Sequence, residues 1–235
     1  MKAVILAGGR GTRLAPYTLV LPKPLLPIGD RPIVEHIVRR LAAAGFRDIH
    51  VALGYLGGLI SSFLNELNGL PDSLNLSFAQ EDHRLGTAGP MRLVPGGAQP
   101  LLVTNGDVLS DLDYADLVAH HRSSGAALTI ATQLRETACE FGVLTIDENQ
   151  RVTDFAEKPV TRHAINMGIY VYEPSALTYL HPHNPMDVPE LVEALLTAGE
   201  QVVAYPFTGA WYDIGTPSDF ERASREFGTV RALHS

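Results

Sequence analysis

The run Val4-Ile5-Leu6-Ala7 is apolar without alternation and passes directly into Gly8-Gly9-Arg10-Gly11-Thr12-Arg13. An unbroken apolar run suits a strand covered on both faces in a parallel sheet. From Gly8 to Arg31, four glycines together with Pro16, Pro22, Pro24 and Pro27 forbid one regular helix, because proline lacks an N–H and clashes with the preceding turn. A long loop must follow the strand, and long loops in compact domains are usually functional. Glycines at a strand end let the backbone approach a ligand and aim several N–H groups inward, a physical basis for holding phosphate oxygens.

The alternation continues beyond the loop. Pro32 stands at a plausible first helical position, and Ile33, Ile37, Val38 and Leu41 have helical spacing up to Gly45. A strand at Ile49 to Leu53, a helix through Ile60, Phe63, Leu64 and Leu67, and a strand at Leu74 to Gln80 are predicted next. A short helix after Gly86-Thr87 and a buried strand, Leu101 to Thr104, ending in Asn105-Gly106-Asp107, complete this half. Such an order predicts an α/β fold with an open, mostly parallel sheet and helices on both faces. The second half reads differently: strands at Ala127 to Leu134, Phe141 to Ile146, Arg151 to Glu157 and Ile165 to Tyr172 follow closely, with a hairpin turn at Asp147-Glu148-Asn149. A smaller antiparallel lobe is expected there, then a helix at Val188 to Ala198, a strand at Val202 to Phe207, the segment Trp211 to Ile214 and a helix from Pro217 to about Phe227. The boundaries are a single domain over 1–228, divided at about 1–125 and 126–228, with a frayed tail at 229–235.

Composition limits the partners. A formal charge of −8 argues against a non-specific nucleic-acid binder, which needs Lys and Arg to replace phosphate counterions. Phosphate must then be held locally, by a backbone nest, a few placed cations or a divalent ion on carboxylates. The lone Cys139 can form no intrachain disulfide and reads as a part-buried residue near a strand. No apolar segment approaches the ~20 residues that span a bilayer, so no membrane association and a cytoplasmic location are expected.

Several residues can carry chemistry. Arg13 can fork onto two phosphate oxygens, whereas Lys23, stiffened between Pro22 and Pro24, is a point charge able to follow a moving phosphoryl group. A dinucleotide-binding loop fits poorly: Gly9-x-Gly11 is followed by Leu14 where a third glycine belongs, and by prolines where a helix should start. Asp107 ends a buried strand, where open α/β sheets place ligands, and could hold Mg²⁺ with a second carboxylate. Asp213, in Trp211-Tyr212-Asp213-Ile214-Gly215, is the candidate partner, with Thr216 as N-cap and Pro217 at the first helical position. On the residues alone each Asp is equally compatible with a cap or turn, and Asp111 and Asp113 read as turn and cap. Glu157-Lys158-Pro159 is a charged pair at a strand end that fits a solvated turn or a phosphate contact. His181 and His183 fit a solvated turn, Asp187 with Pro189 a helix start, and Tyr170 and Tyr172 strand packing.

Taken in order, Leu6-Ala7-Gly8-Gly9-x-Gly11-Thr12-Arg13-Leu14, Pro22-Lys23-Pro24, Gly106-Asp107, Glu157-Lys158-Pro159 and Trp211-Tyr212-Asp213-Ile214-Gly215 resemble the sugar-1-phosphate nucleotidyltransferase (nucleotide-sugar pyrophosphorylase) family over nearly the whole chain. The resemblance implies a Rossmann-like nucleotidyltransferase fold, a mostly parallel mixed sheet flanked by helices, with the antiparallel lobe binding sugar. It implies that Leu6, Ala7, Gly8, Gly9, Gly11 and Thr12 hold a nucleoside triphosphate whose phosphates Arg13 and Lys23 contact, and that Asp107 and Asp213 hold Mg²⁺. Gln80, Gly86, Thr87 and Ala88 match positions that contact the base. Asn105, Gly142, Glu157, Lys158, Asn166 and Gly168 fall where the sugar 1-phosphate binds, with Lys158 on its phosphate. No protein nucleophile is then needed, since positioning and charge neutralisation suffice. The compact form leans toward the mannose-1-phosphate guanylyltransferase-like branch, hence GTP, although uridylyl and thymidylyl relatives share nearly every feature. A homo-oligomer, a dimer, is expected. The chain ends soon after Gly215, so the left-handed β-helix domain of longer members is expected to be missing. A silent sugar-nucleotide sensor and a nicotinamide-dependent oxidoreductase are the competing classes; intact Arg13, Lys23, Asp107, Lys158 and Asp213 speak against the first.

Overall fold

A computed structural model describes residues 1–95 and 97–226. The strands are β1 (Lys2–Ala7), β2 (Pro27–Ile28), β3 (Arg31–Pro32), β4 (Asp48–Leu53), β5 (Asn75–Gln80), β6 (Leu101–Asn105), β7 (Val108–Ser110), β8 (Leu128–Ala138), β9 (Val143–Ile146), β10 (Val152–Ala156), β11 (Val160–Tyr172), β12 (Val202–Phe207) and β13 (Trp211–Asp213). The helices are α1 (Ile33–Ala43), α2 (Gly57–Asn65), α3 (Tyr114–Ser124), α4 (Val188–Thr197) and α5 (Pro217–Glu226). Seven strands form one sheet in the order β12-β8-β11-β6-β1-β4-β5. Every neighbouring pair is parallel except the two made by β11, which runs against both β8 and β6.

The apolar run in β1 has a direct physical reason. Ala3, Ile5 and Ala7 belong to one buried cluster, with residues of α1, α2, α3 and Ala223 of α5. Val4 points the other way, into a second cluster with Val103, Tyr170, Tyr172 and the Val188, Leu191 and Leu195 face of α4. A central strand with core on both faces cannot alternate apolar and polar residues. Ile5 is fully buried, so truncating it to alanine costs about 2–5 kcal/mol.

The local signals mostly match the elements. Asp113 caps α3, its carboxylate accepting from the N–H groups of Ala115 and Asp116 at 2.8 and 3.1 Å. Thr216 and Asp219 cap α5 reciprocally: Thr216 N–H donates to Asp219 Oδ2 at 3.0 Å and Asp219 N–H to Thr216 Oγ1 at 3.3 Å. The β9–β10 turn closes on Asp147, whose carboxylate accepts from Asn149 and Arg151 N–H. Cys139 is half-buried just past β8, and the rings of Tyr170 and Tyr172 pack 5.7 Å apart.

Four expectations need correction. Pro32 precedes α1 as its extended cap, one place earlier than expected, and α2 stops at Asn65, leaving Leu67 to pack on the core from the following turn. The helix expected after Gly86-Thr87 is a 3₁₀ turn at Gly89–Leu93. The antiparallel strands of the second half are not confined to a separate lobe: β8 and β11 belong to the central sheet and continue beyond it as a two-stranded arm, from Thr132↔Asn166 out to Ala138↔Val160. The β9–β10 hairpin is inserted in the chain between the two strands of that arm. The tail expected to fray at 229–235, and Phe227, lie outside the described residues.

Candidate active site

The C-terminal ends of β1, β4, β5 and β6 meet along one edge of the sheet, over a cleft of about 580 Å³. Its floor is the glycine loop. Gly11 adopts a left-handed backbone (φ 62°), and the Thr18 hydroxyl donates to its carbonyl at 2.8 Å. Below the loop, Gly54 touches Gly8 so closely that a Cβ there would lie 2.5 Å from the Gly8 oxygen and 2.7 Å from its Cα. On the rim, the Arg10 guanidinium sits 5.6 Å from the centre of the Tyr55 ring. Leu6, Gly8, Gly9, Gly11, Thr12, Gly86, Thr87, Asn105 and Asp107 all line the cleft, whereas Ala7 and Ala88 are buried behind it.

A charged cluster stands at the β6 side. The 3₁₀ turn Lys23–Leu25 buries Lys23, and its ammonium pairs with Asp107. The short β7–β13 ladder brings Asp213 opposite Val108, and Ile214 N–H donates to the Asp107 carbonyl at 3.1 Å. Asp107 and Asp213 are thus neighbours although they are far apart in sequence. The Asp213 side chain reaches solvent, yet the protein packed around its carboxyl raises its pKa, chiefly by desolvation and then by the charge of Asp107, against Lys23 and Arg13. The Arg13 guanidinium lies 3.3–3.5 Å from where a Cβ of Gly215 would stand, so it covers the same corner. Among the described residues no group of three or more His, Cys, Asp or Glu side chains gathers as a protein-only metal cage. Two adjacent carboxylates, one already paired to a cation, suit an ion that takes its other oxygens from phosphate and water.

The far wall is built by the segment after β5. Gln80, the residue matched to the base, turns its amide to the carbonyls of Gly54 and Glu81, at 3.2 and 3.3 Å. Glu81 lines the cleft, its Oε2 accepting from Leu85 N–H at 3.1 Å, and burial raises its pKa, opposed by that hydrogen bond. Thr87 is pinned by Asp187, the first-turn cap of α4, whose Oδ1 accepts from the Thr87 N–H at 2.8 Å and from its hydroxyl at 3.2 Å.

The residues matched to the acceptor fall into two groups. Gly168 (φ 74°) lies against the Asn105 side chain, and its N–H donates to Asn166 Oδ1 at 2.9 Å, while Asn166 Nδ2 donates to the Tyr170 hydroxyl at 2.8 Å. On the hairpin, a Cβ on Gly142 would meet the Phe155 ring at 2.8 Å and Glu157 Oε2 at 3.2 Å. Lys158 stands exposed between β10 and β11 with a left-handed backbone (φ 45°), strained for a residue with a Cβ. His181 and His183 are exposed.

Sequence reading passed over Gly54, Glu81 and the Asp187–Thr87 tie. Gly54 and Glu81 each follow a strand end, the same signal that singled out Asp107, and could have been found by it. The Asp187 tie joins positions 100 apart and has no local signal.

The chain belongs to the nucleotidyl transferase family, which it matches over residues 2–229. It is 37% identical over 228 residues to the mannose-1-phosphate guanyltransferase of Schizosaccharomyces pombe, covering 94% of this chain and 62% of that protein. It is 34% identical to the probable mannose-1-phosphate guanylyltransferase 1 of Oryza sativa, covering 94% and 63%. The chain therefore spans a little over three-fifths of these relatives' length. Two solved structures share the fold: HddC from Yersinia pseudotuberculosis complexed with GMP-PN (TM-score 0.73, 26% identity, 96% of this chain and 99% of that one) and a putative glucose-1-phosphate thymidylyltransferase from Bacillus anthracis in complex with sucrose (TM-score 0.75, 25% identity, 100% and 99%).

Proposed function

We propose that the protein transfers a nucleoside monophosphate from a nucleoside triphosphate, GTP by preference, to a sugar or sugar-like 1-phosphate. The observation that carries the reading is the corner where Lys23, Arg13, Asp107 and Asp213 meet beside a glycine loop able to cradle phosphates. The similarity to mannose-1-phosphate guanyltransferases and to a structure complexed with GMP-PN supports the choice of base.

In this reaction an oxygen of the sugar phosphate attacks the α-phosphorus in line. The bond to the α–β bridging oxygen breaks, and pyrophosphate leaves with that electron pair. Arg13 and Lys23 neutralise the triphosphate and the charge that builds on the transferring group. Asp107 and Asp213 would hold Mg²⁺, which supplies the charge that lets one anion approach another. Lys158 binds the phosphate of the acceptor, and Asn105, Gly142, Glu157, Asn166 and Gly168 its sugar. A cytoplasmic homodimer completes the reading; the exposed Leu144 and Phe155 on the hairpin support self-association, which light scattering in solution tests.

The test is a matrix of GTP, ATP, CTP, UTP and dTTP against a panel of sugar 1-phosphates, read as pyrophosphate release with Mg²⁺ and with EDTA. Release that needs both substrates and the metal is expected. No release with any pair, or equal release with EDTA, overturns the proposal.

A further inference from the structure

A groove of about 400 Å³ lies beside the cleft, between α4 and the strands β8 and β11. Ile130, Val188, Val192 and Leu196 make its surface apolar, and Leu196 is left 58% exposed. Two contacts join the groove to the site. Val188 N–H donates to the Thr87 hydroxyl oxygen at 2.9 Å, and Thr87 lines the cleft, so the groove begins where that wall ends. Asn166 also lines the groove, and it precedes Gly168, which bears on Asn105 at the end of β6. Asp107 follows directly in the chain. An acceptor whose phosphate reacts at the Asp107 corner therefore reaches the groove with the carbons nearest that phosphate.

The lining selects by chemistry. A sugar hydroxyl laid against Val188 and Val192 would give up hydrogen bonds to water and gain none, which is unfavourable. An alkyl group gains by the same move. One polar contact is on offer: the Asn166 amide nitrogen gives one hydrogen to the Tyr170 hydroxyl at 2.8 Å and keeps the other for a ligand acceptor. Glu193 is the one charged residue of the lining among the described residues, and its carboxylate repels an acidic substituent.

An acylamino group meets each of these conditions. Its carbonyl accepts from the Asn166 amide, its alkyl end lies on the valines, and it carries no charge. A hydroxyl or a lone methyl group would leave most of the groove empty. We infer that the acceptor is a sugar 1-phosphate bearing an acylamino group on the carbon next to the phosphate-bearing one, with the acyl part seated in this groove. The assignment rests on the nucleotidyl-transfer reading above.

The test pairs glucose, mannose and galactose 1-phosphates with their 2-acetamido counterparts, using the triphosphate that turns over fastest, and reads kcat/KM by pyrophosphate release. In at least one pair the wild type is expected to favour the acetamido member by about 10- to 100-fold, and Leu196→Asp and Val192→Asp to bring that ratio close to one. The wild-type ratio needs no variant, and a value below about threefold in every pair overturns the assignment even if neither variant folds. Retention of the ratio in the folded variants overturns it too. An unchanged ratio in Leu196→Asp with a smaller assembly by light scattering means that a second copy of the chain covers the groove, and the assignment fails. Turnover of the unsubstituted sugars alone leaves nucleotidyl transfer standing and refutes the acyl subsite, whereas no turnover with any pair refutes the reaction itself.

Discussion

Gly54→Ala tests whether the floor of the cleft is set by backbone contact. The new Cβ would sit 2.5 Å from the Gly8 oxygen, against 3.4 Å for the start of ordinary contact, so one backbone must yield by about 0.9 Å. Neither can rotate away, since the atoms that collide are main chain. Overpacking of this kind costs about 1–3 kcal/mol. In a chain of this size each kcal/mol lowers the melting temperature by about 2–4 °C. A misplacement near 1 Å in a positioning element can cost about 100-fold in rate, so kcat/KM for the triphosphate should fall by that order. Gly9→Ala is the internal control, because nothing lies within 4 Å of the position its Cβ would take and its backbone is not left-handed. It should leave stability within about 0.5 kcal/mol while raising the triphosphate KM, since Gly9 faces the cleft. Thermal unfolding and pyrophosphate release on the two variants give the answer. Wild-type melting temperature and kcat/KM in Gly54→Ala would refute the reasoning.

Asp213→Asn should cut metal-dependent turnover by about 100-fold or more without lowering the melting temperature, since it removes a carboxylate that burial and Asp107 hold above its usual pKa; a destabilised variant, or one with near-normal turnover, contradicts this. Lys158→Ala should raise the KM for the sugar 1-phosphate, and a change confined to the triphosphate KM would place Lys158 in the other subsite. His36, His50 and His121 are all held below the usual imidazole pKa, chiefly by burial, so the fold carries them neutral. Their contribution is complete above the unfolded value of about 6.5 and is lost as pH falls through their lowered folded values. The melting temperature should therefore decline below about pH 6.5, and a level profile down to about pH 5 argues against it.

The elements that were legible carry their signal in their own residues. The β1 run, the apolar face of α1 and the caps Asp113 and Thr216 all act within a few residues. The arm was less legible: from Val160 to Ala164, β11 is exposed, so no apolar periodicity marks it, and only pairing with β8 makes it a strand. At the site, Asp107 and Asp213 were readable as strand ends, but their adjacency comes from the β7–β13 ladder, whose strands have three residues each. Gln80 and Glu81 show the limit most plainly. Neighbours in sequence alternate in direction, and which one faces the cleft depends on where the strand stops.

Strand β11 also has a mechanical meaning. Its inner end, Ile169 to Tyr172, is locked between β6 and β8, its outer end belongs to the arm, and the register shifts between Asn166 and Tyr170, where Gly168 bears on Asn105. The strand therefore joins the exposed arm to the neighbourhood of the strand end that carries Asp107 in one continuous element. Lys158, two residues before the strand begins, is thus connected to the Gly168–Asn105 contact through a single strand with no loop between the strand's start and that contact.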